Sequence, residues 1–342
     1  MRHVGILGGG NISETHARAA RELEGVRVVA VHGQNREKAG RLAALCGAAV
    51  YDDLDAFLAH RPLELVLVGS PSGLHAEQGI AAARRGLHVL VEKPLDVTPE
   101  RADALITECD RAGVKLGVFF QDRAAPAVRG LKEFVASGGL GRLLLVSGRV
   151  KWYRPPEYYA GSRWRGTWAL DGGGALMNQG VHTLDLLLWL LGDVTRVYAR
   201  AVTALHEIEV EDTVAATLEF ACGAVGTLEA ATSVYPGYPR RVELTGTEGT
   251  VILEGNTLVA ADLRTPREGL VRGAAAGSPG ATSAVVSDVS GHREILADFL
   301  RAIETGGTPM CDGREGRRSV ELARALYESS RTGLPVSLGR TA

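Results

Sequence analysis

The sequence predicts an α/β protein in which a Rossmann dinucleotide-binding domain precedes an α/β domain with an open, mainly antiparallel sheet. Three observations predict this fold. A glycine turn follows the first apolar run, apolar runs alternate with helical patterns over the first third of the chain, and short apolar runs follow one another without helices later on. Alternating strands and helices give a parallel sheet, whereas strands joined by short turns pair antiparallel. We place the two domains at residues 1–121 and 122–342.

The composition is that of an ordinary globular protein. Hydrophobic residues make up 45% and charged residues 23% of the chain, and the net charge is −2. There is no basic block, which argues against nucleic acid or membrane-surface binding, and no apolar run reaches a transmembrane length. The four cysteines are scattered without a C-x-x-C pair. We therefore expect reduced thiols, no metal site and a cytoplasmic location.

The glycine turn has the sequence context of a dinucleotide fingerprint. The apolar run His3–Leu7 leads into Gly8-Gly9-Gly10-Asn11-Ile12-Ser13, and a helical pattern follows. Gly8 permits a tight turn, and Gly10 lets the backbone approach a pyrophosphate at the helix N-terminus. Ser13 replaces the third glycine, so the fingerprint is incomplete. No Gly-Lys-Ser/Thr follows, which excludes a P-loop.

The end of the second predicted strand, Val26–Val31, bears on the choice between NAD and NADP. An NAD site usually has an acid here that holds the ribose hydroxyls. This chain has Gly33 at that position and Arg36 nearby, which favours NADP. The alternative is that Arg36 is a solvated residue in the first turn of a helix.

Two further strand ends carry polar residues. The run Leu63–Gly69 ends in Ser70-Pro71, and the run Leu87–Val91 leads into Glu92-Lys93-Pro94. Ligands bind beyond the carboxyl ends of strands in such a sheet. A lysine at a strand end is most often solvated, but one held between an acid and a proline at this edge is a catalytic candidate.

The stretch Gly172–Gly192 predicts a buried helix with polar residues along one face. It is apolar almost all round, yet Asn178, His182 and Asp185 recur at i, i+4 and i+7. Buried polar groups need partners or a ligand. His182 is therefore either a core histidine that Asp185 orients or a catalytic base whose tautomer Asp185 holds.

An aromatic segment containing arginines precedes this helix. Three of the four tryptophans lie within residues 152–168, together with Tyr153 and Arg165. Aromatic faces can pack on sugar rings, and arginines can clamp a carboxylate or phosphate, so we predict a substrate-binding wall. The alternative is a packing or interface loop.

The remaining chain completes the second domain. Strands are predicted at 143–150, 197–203, 213–220, 224–233, 241–245 and 250–253, a long loop at 264–290, and helices at 292–304 and 314–331. We expect one sheet face to cover the helix at 175–191 and a partner subunit to cover the other face. His292 is expected near the N-cap of its helix.

Together these motifs resemble the glucose-fructose oxidoreductase / inositol dehydrogenase / rhizopine catabolism family over essentially the whole chain. The resemblance rests on Gly8–Ser13, His75, Glu92-Lys93-Pro94, Gly172–His182 and Asp312–Arg317. It implies an NAD(P)-dependent dehydrogenase or reductase of sugars, nucleotide sugars or cyclitols that forms homodimers or homotetramers through the C-terminal sheet. The segment from Trp152 to His182 most resembles the nucleotide-sugar 3-dehydrogenases.

By this resemblance, Lys93 corresponds to the family's catalytic lysine and His182 to its catalytic histidine. We expect His182 to take a proton from a substrate hydroxyl while hydride passes to C4 of the nicotinamide, and Lys93 to stabilise the developing oxyanion. Asn178 stands where inositol dehydrogenases have an aspartate, which weakens the case for an inositol substrate. We expect Asn178 to position the reacting hydroxyl.

The predicted sites are drawn from both domains. The residues expected to contact the cofactor are Gly8, Gly10, Asn11, Ile12, Gly33, Arg36, Ser70, Pro71, His75, Glu92, Lys93, Gln121 and Arg165. The residues expected to contact the substrate are Lys93, Arg123, Tyr153, Trp164, Asn178 and His182. One alternative is a dinucleotide-binding regulator that has lost catalysis, although Lys93 and His182 are both retained. Another is a metal enzyme that uses His182 and Asp185, which would need further ligands.

Overall fold

The computed structural model describes residues 1–266, 270, 273 and 288–339. The chain divides into two compact units. The first consists of Met1–Gln121 and Val285–Arg317, and the second of Asp122–Ala284 and Arg318–Ala342. Most of the long loop predicted at 264–290 lies outside the described residues.

The first unit contains a parallel sheet of six strands with the order β3-β2-β1-β4-β5-β6. In chain order the strands are β1 (Arg2–Leu7), β2 (Val26–His32), β3 (Ala49–Tyr51), β4 (Leu65–Val68), β5 (His88–Glu92) and β6 (Leu116–Phe119). β1 pairs with both β2 and β4, so the strand order reverses there. Ligands bind at the carboxyl ends of strands beside such a reversal. The predicted Rossmann architecture is confirmed.

The α-helices of the described chain are α1 (Asn11–Arg21), α2 (Arg36–Cys46), α3 (Leu54–Leu58), α4 (His75–Arg84), α5 (Pro99–Ala112), α6 (Pro126–Ala136), α7 (Glu157–Ala160), α8 (Val181–Leu191), α9 (Ser290–Thr305) and α10 (Gly313–Thr332). Short 3-10 helices span Ser72–Leu74 and Gln121–Ala124. The local sequence explains where some of these helices begin. Asn35 caps α2 by accepting a hydrogen bond from the backbone of Lys38, and Thr98 caps α5 in the same way. No helix within the described residues is long and apolar enough to span a membrane.

The second unit contains an eight-stranded sheet with the order β13-β12-β11-β7-β10-β9-β8-β14. Its strands are β7 (Leu143–Lys151), β8 (Val194–Val202), β9 (Thr213–Phe220), β10 (Val225–Ala231), β11 (Arg241–Gly246), β12 (Gly249–Glu254), β13 (Thr257–Leu263) and β14 (Val336–Ser337). β7 and β10 pair in parallel, whereas the other neighbours pair antiparallel. The mainly antiparallel sheet is as predicted. β13 and the two-residue β14 were not predicted from the sequence.

The two faces of this sheet differ in burial. Along β9, alternate residues from Val214 to Phe220 are buried and the residues between them are exposed. Such alternation is expected of a sheet with one covered face. The buried face packs against residues 175–180 through β9 and β10, and against α8 through β7. As predicted, the sheet therefore covers the helical segment that contains His182.

Candidate functional site

The glycine turn after β1 leaves a helix N-terminus open. Gly8 has a φ of +128°, and a Cβ there would lie 2.6 Å from the carbonyl oxygen of Gly69, so only glycine fits. Gly10, by contrast, has no atom within 4 Å of an ideal Cβ, and α1 has no side-chain N-cap. The turn thus leaves backbone N–H groups for an anion at the positive end of the helix. Exposed Asn11 and half-buried Ile12 begin this helix.

Two buried polar atoms at the carboxyl edge of this sheet support a polar ligand there. Ser70 follows β4, and Gln121 follows β6. Within the described residues, Ser70 Oγ and Gln121 Oε1 are buried without a hydrogen-bond partner. Such atoms are rare in native proteins unless a ligand or water satisfies them. These positions therefore fit the predicted dinucleotide cofactor.

The residue that favours NADP has an acidic partner that the sequence analysis missed. Arg36 Nη1 lies 3.1 Å from Asp52 Oδ2, and the two side chains are 79% and 65% exposed. Asp52 does not follow β2, where an acid is expected from sequence; it follows β3, the strand beside β2 in the sheet. Arg36 is accessible to a ligand, but its charge is already partly balanced.

Glu92 is buried in a hydrogen-bonded group with two histidines. Its Oε1 lies 2.8 Å from His16 Nε2 and 3.4 Å from His292 Nε2, and its Oε2 accepts a hydrogen bond from the backbone N–H of Lys93 at 3.2 Å. Burial raises the pKa of Glu92, but the two imidazoles outweigh burial and hold it well below its usual range. Glu92 was predicted to contact the cofactor; its carboxylate instead anchors the turn that carries Lys93.

His292 lies in the first turn of α9, close to the N-cap residue Val289, as predicted. Its side chain is 2% exposed and faces Glu92. His16, His292 and Glu92 are also the one group of ligand-type side chains, within the described residues, whose donor atoms lie within 4.8 Å of one another as a metal site requires. The hydrogen bond between His16 and Glu92 already uses two of these atoms. Neither histidine belongs to a motif, so the sequence alone gave no signal for this group.

His75 connects the two strand-end turns. Its Nδ1 lies 2.8 Å from the Pro94 carbonyl oxygen and its Nε2 2.9 Å from that of Ser70, and it is 1% exposed. Burial lowers the pKa of this imidazole. The predicted cofactor contact is therefore wrong for the His75 side chain, because both ring nitrogens face carbonyl oxygens inside the unit. His75 and Glu92 together fix the turn that presents half-buried Lys93.

The predicted helix at 175–191 consists of two segments. Ala175–Gly180 forms a π-helix, and α8 follows it. Side chains bind the first N–H groups: Glu211 accepts from Gly174 at 3.0 Å and from Leu176 at 2.8 Å. A Cβ on Gly174 would overlap the carbonyl oxygen of Glu211, which explains the glycine. The predicted stripe assumed 3.6 residues per turn, which holds only from Val181 onward.

Asn178, in the π-helix, is oriented by a buried acid. Its Nδ2 donates to Asp171 Oδ1 at 2.6 Å, and Asp171 Oδ2 accepts from the backbone N–H of Gly166 at 2.9 Å. Because a carboxylate only accepts hydrogen bonds, the amide group of Asn178 must point its nitrogen to Asp171. This orientation directs the amide oxygen of Asn178 away from Asp171.

His182 lies in the first turn of α8 beside a carboxylate that the sequence analysis did not single out. Its Nδ1 is 3.5 Å from Asp122 Oδ2, and both side chains are 11% exposed. Asp122 was missed because it is distant in sequence and belongs to no motif. His182 is thus a partly accessible imidazole beside a buried acid, an arrangement that suits a general base.

Asp185 and Arg123 form a separate ion pair. Arg123 Nε and Nη2 donate to the two oxygens of Asp185 at 2.9 and 2.6 Å, and each side chain is 1% exposed. The Arg123 guanidinium also lies over Trp189. Arg123 is therefore unsuited to the predicted substrate contact, and Asp185 is unsuited to the metal site considered above. The carboxylate of Asp122, rather than the motif residue Asp185, is therefore the acid considered below as a partner of His182.

The aromatic segment is layered with arginines. The Arg165 guanidinium lies 4.3 Å from the ring centre of Tyr158 and 5.3 Å from that of Trp164. A cleft of about 840 Å³ in the second unit includes Tyr153 and Arg165 in its lining. Of the predicted binding residues, the cleft brings these two together, and Trp164 does not line it.

Comparisons with known proteins agree with this description. Residues 2–120 match the oxidoreductase family with an NAD-binding Rossmann fold, and residues 128–252 match the GFO/IDH/MocA C-terminal domain. The chain is 31% identical to D-xylose 1-dehydrogenase (NADP(+)) 2 of Haloferax volcanii, over 98% of this chain and 99% of that protein. It is 25% identical to myo-inositol 2-dehydrogenase of Thermotoga maritima, over 95% of each chain.

A solved structure has the same fold as this chain along nearly the whole length of both proteins. The WlbA dehydrogenase of Bordetella pertussis, in complex with NADH and UDP-GlcNAcA, is 32% identical and has a TM-score of 0.91, with 99% of this chain and 98% of that chain covered. These relatives set aside the alternative of a non-catalytic regulator. The chain belongs to the GFO/IDH/MocA family and is an NAD(P)-dependent oxidoreductase that acts on CH–OH groups.

Proposed function

We propose that this protein transfers a hydride between the nicotinamide and a hydroxyl or ketone carbon of a nucleotide sugar, with Lys93 and His182 at the reacting oxygen. One observation carries the proposal. Lys93 stands on the turn after β5, which Glu92 and His75 fix, at the same sheet edge as the glycine turn after β1. A fixed lysine at the carboxyl edge of a Rossmann sheet is well suited to a catalytic role.

In this proposal each residue has one task. Bound NAD(P)⁺ supplies the hydride acceptor. His182 takes the proton of the substrate hydroxyl, and the Lys93 ammonium stabilises the negative charge that develops on that oxygen. Asn178, oriented by Asp171, accepts a hydrogen bond from the substrate and so positions it. Reduction of a ketone follows the same steps in reverse.

The nucleotide-sugar class is supported by two features. The WlbA dehydrogenase that holds UDP-GlcNAcA is 32% identical along nearly the whole chain. The cleft in the second unit presents Arg165 beside aromatic side chains, and guanidinium groups suit the carboxylate and phosphate groups of such a substrate. A free pentose, the substrate named for the Haloferax relative, contains neither group.

For the cofactor we propose that either NAD or NADP binds and that Arg36 gives NADP an advantage. The support is an accessible guanidinium close to the end of β2, where the ribose of a dinucleotide lies in this fold. The Haloferax relative is named for NADP, whereas the WlbA structure contains NADH.

We also propose that the open face of the eight-stranded sheet forms a homo-oligomer. Leu145 and Val225 are opposite each other on β7 and β10 and are 54% and 53% exposed, and Tyr198 on β8 is 48% exposed. Large exposed apolar side chains on one sheet face suit a partner subunit. Light scattering should show a dimer or tetramer that Leu145→Glu dissociates; a monomeric parent protein would contradict this.

Turnover with two substrates tests the function. Purified protein is incubated with NAD⁺ or NADP⁺ and with UDP-GlcNAcA or D-xylose, and absorbance at the reduced nicotinamide band is followed. We expect turnover with the nucleotide sugar and a loss of kcat of about 100-fold or more in Lys93→Met and His182→Gln. Turnover with D-xylose alone would overturn the substrate class, and full activity of both variants would overturn the residue roles.

A further inference from the structure

The acid beside His182 belongs to a buried polar network that joins four separate parts of the second unit. Asp122 lies in the 3-10 helix Gln121–Ala124. Its Oδ2 is 3.5 Å from His182 Nδ1 and also accepts a hydrogen bond from Arg240 Nη1. Its Oδ1 accepts a hydrogen bond from Asn256 Nδ2 at 2.9 Å. Both oxygens of this carboxylate are therefore held in place.

The partners of Asp122 are themselves fixed. Arg240 Nη2 donates to the Gly255 carbonyl oxygen at 2.8 Å and to Asn256 Oδ1 at 2.6 Å, and Arg240 is 6% exposed. Burial alone would raise the pKa of Asp122, but the charges of Arg240 and His182 and the donors around it hold that pKa well below its usual range. Asp122 is thus an ionised acid in a position that the β10–β11 and β12–β13 connections maintain.

We propose that Asp122 is a positioning residue for His182: it holds Nδ1–H, so that Nε2 is the nitrogen that receives the substrate proton. This inference rests on the proposed function. In the oxidation step the hydroxyl O–H proton moves to His182 Nε2, the C–H bond breaks with its electron pair passing to NAD(P)⁺, and the C=O bond forms. The imidazolium that results is stabilised by the negative charge of Asp122, as a buried acid stabilises histidine in hydrolase triads.

Three other charged groups close to α8 have partners of their own. Asp185, three residues along the helix, is paired with Arg123. Lys132 of α6 contacts the Trp189 carbonyl oxygen near the other end of α8. Asp171 bonds to Asn178 in the π-helix. β7 faces the helix with uncharged Gly148, whose ideal Cβ position is 2.9 Å from Thr183. Asp122 and Arg240 are therefore the charges whose removal should shift the titration of His182 most.

Opposite substitutions in the network give a direct test that needs no substrate. The Cε1–H resonance of His182, assigned with His182→Gln, is followed by NMR against pH. Asp122→Asn removes the anion and leaves Arg240 close to the ring, so the pKa of His182 should fall by about one unit or more. Arg240→Gln removes the positive charge that competes with His182 for Asp122, while the contacts of Asp122 with His182 and Asn256 remain. The pKa of His182 should therefore rise. A merely structural disturbance would not move the two variants in opposite directions.

Turnover separates the failure of this inference from the failure of the proposed function. If His182→Gln retains full activity, the proposed function fails. If that variant is inactive but the His182 titration is unchanged in Asp122→Asn, the function stands and the role of Asp122 is overturned. We expect Asp122→Asn to lower kcat by about 100-fold with little change in the KM for the nicotinamide, and Asp122→Glu to recover part of that loss. Should Asp122→Asn fail to fold, the expected upward shift in Arg240→Gln decides the question alone.

Discussion

Glu92 Oε1 and His16 Nε2 form a hydrogen bond of 2.8 Å, and both side chains are buried. Because Glu92 is ionised, His16 must donate through Nε2. The other ring nitrogen of His16 has no partner within the described residues, so the imidazole is neutral, in agreement with the lowering of its pKa by burial. The next residue after Glu92 is Lys93, so this pair determines where the lysine stands.

Replacing Glu92 should therefore impair both folding and turnover. In Glu92→Gln, one carboxylate oxygen is replaced by an N–H₂ group, which cannot accept a hydrogen bond. Depending on how the amide is oriented, either the ring N–H of His16 or the backbone N–H of Lys93 loses its acceptor, which costs about 1–3 kcal/mol. We expect the free energy of unfolding in urea to fall by this amount and kcat to fall more than the KM for NAD(P)H rises. Glu92→Asp, which keeps the charge, should recover part of both. Wild-type kcat in Glu92→Gln would show that the pair does not hold Lys93.

Gly10→Ala should reduce cofactor binding without harming the fold. No atom lies within 4 Å of an added Cβ, and the φ of Gly10 is −90°, which alanine adopts readily. A methyl group there would occupy the space where a pyrophosphate approaches the backbone. Tryptophan fluorescence should show at least about tenfold weaker NADH binding with an unchanged Tm, corresponding to about 1.4 kcal/mol.

A matched control is available in the same unit. Gly40 also has no atom within 4 Å of an added Cβ, but it lies within α2. Gly40→Ala should leave NADH binding unchanged and stabilise the helix slightly. Equal NADH binding by both variants would contradict the assignment of Gly10 to the cofactor site.

Glu211 should make stability depend on pH. Burial raises its pKa from 4.5 to about 7 against the opposing effect of its hydrogen bonds with Leu176 and Gly174. The folded state therefore binds a proton that the unfolded state has released, and stability falls as pH rises from about 4.5 to about 7, by roughly 3 kcal/mol. Glu211→Gln should be less sensitive to pH than the parent over this window, as measured by urea unfolding at successive pH values. The same slope in both proteins would refute the assignment.

The Arg123–Asp185 pair should affect stability rather than substrate binding. Arg123→Met leaves an unpaired buried carboxylate and should cost about 3–5 kcal/mol, whereas Arg123→Met with Asp185→Leu should recover most of that loss. Chemical denaturation of the single and double variants checks this. A raised KM with unchanged stability in Arg123→Met would instead restore the substrate-binding role predicted from the sequence.

Asp52→Asn should shift cofactor preference toward NADPH. The substitution releases Arg36 from an exposed ion pair, which is worth at most about 1 kcal/mol, so the gain in NADPH affinity should not exceed about fivefold. Arg36→Ala should remove the preference for NADPH over NADH. Fluorescence titration of both variants with both nucleotides measures these ratios. An unchanged ratio in Arg36→Ala would exclude Arg36 from the cofactor site.

The parts of the protein that were predictable from sequence are those written in local patterns. Apolar runs that alternate with helices specified the Rossmann sheet, and the strand ends located Lys93. Contacts between distant residues could not be predicted in this way. His16, Glu92 and His292 come from three separate stretches of the chain, and Asp122 meets His182 only after folding. The π-helix also escaped prediction, because Glu211, far along the chain, supplies the acceptor that binds its first N–H groups.

The parallel pairing of β7 with β10 has a consequence for how the second unit folds. These strands meet at Leu145 and Val225, and the π-helix, α8, β8 and β9 all lie between them in the chain. Closing so long a connection carries an entropic cost before the contact is made, whereas the hairpins β9–β10 and β11–β12 need only short loops. The centre of the sheet should therefore form late. Since β7 is also the strand that packs against α8, we expect α8 and His182 to reach their final positions only after β7 and β10 have paired. A partly folded intermediate with both hairpins in place should be catalytically silent.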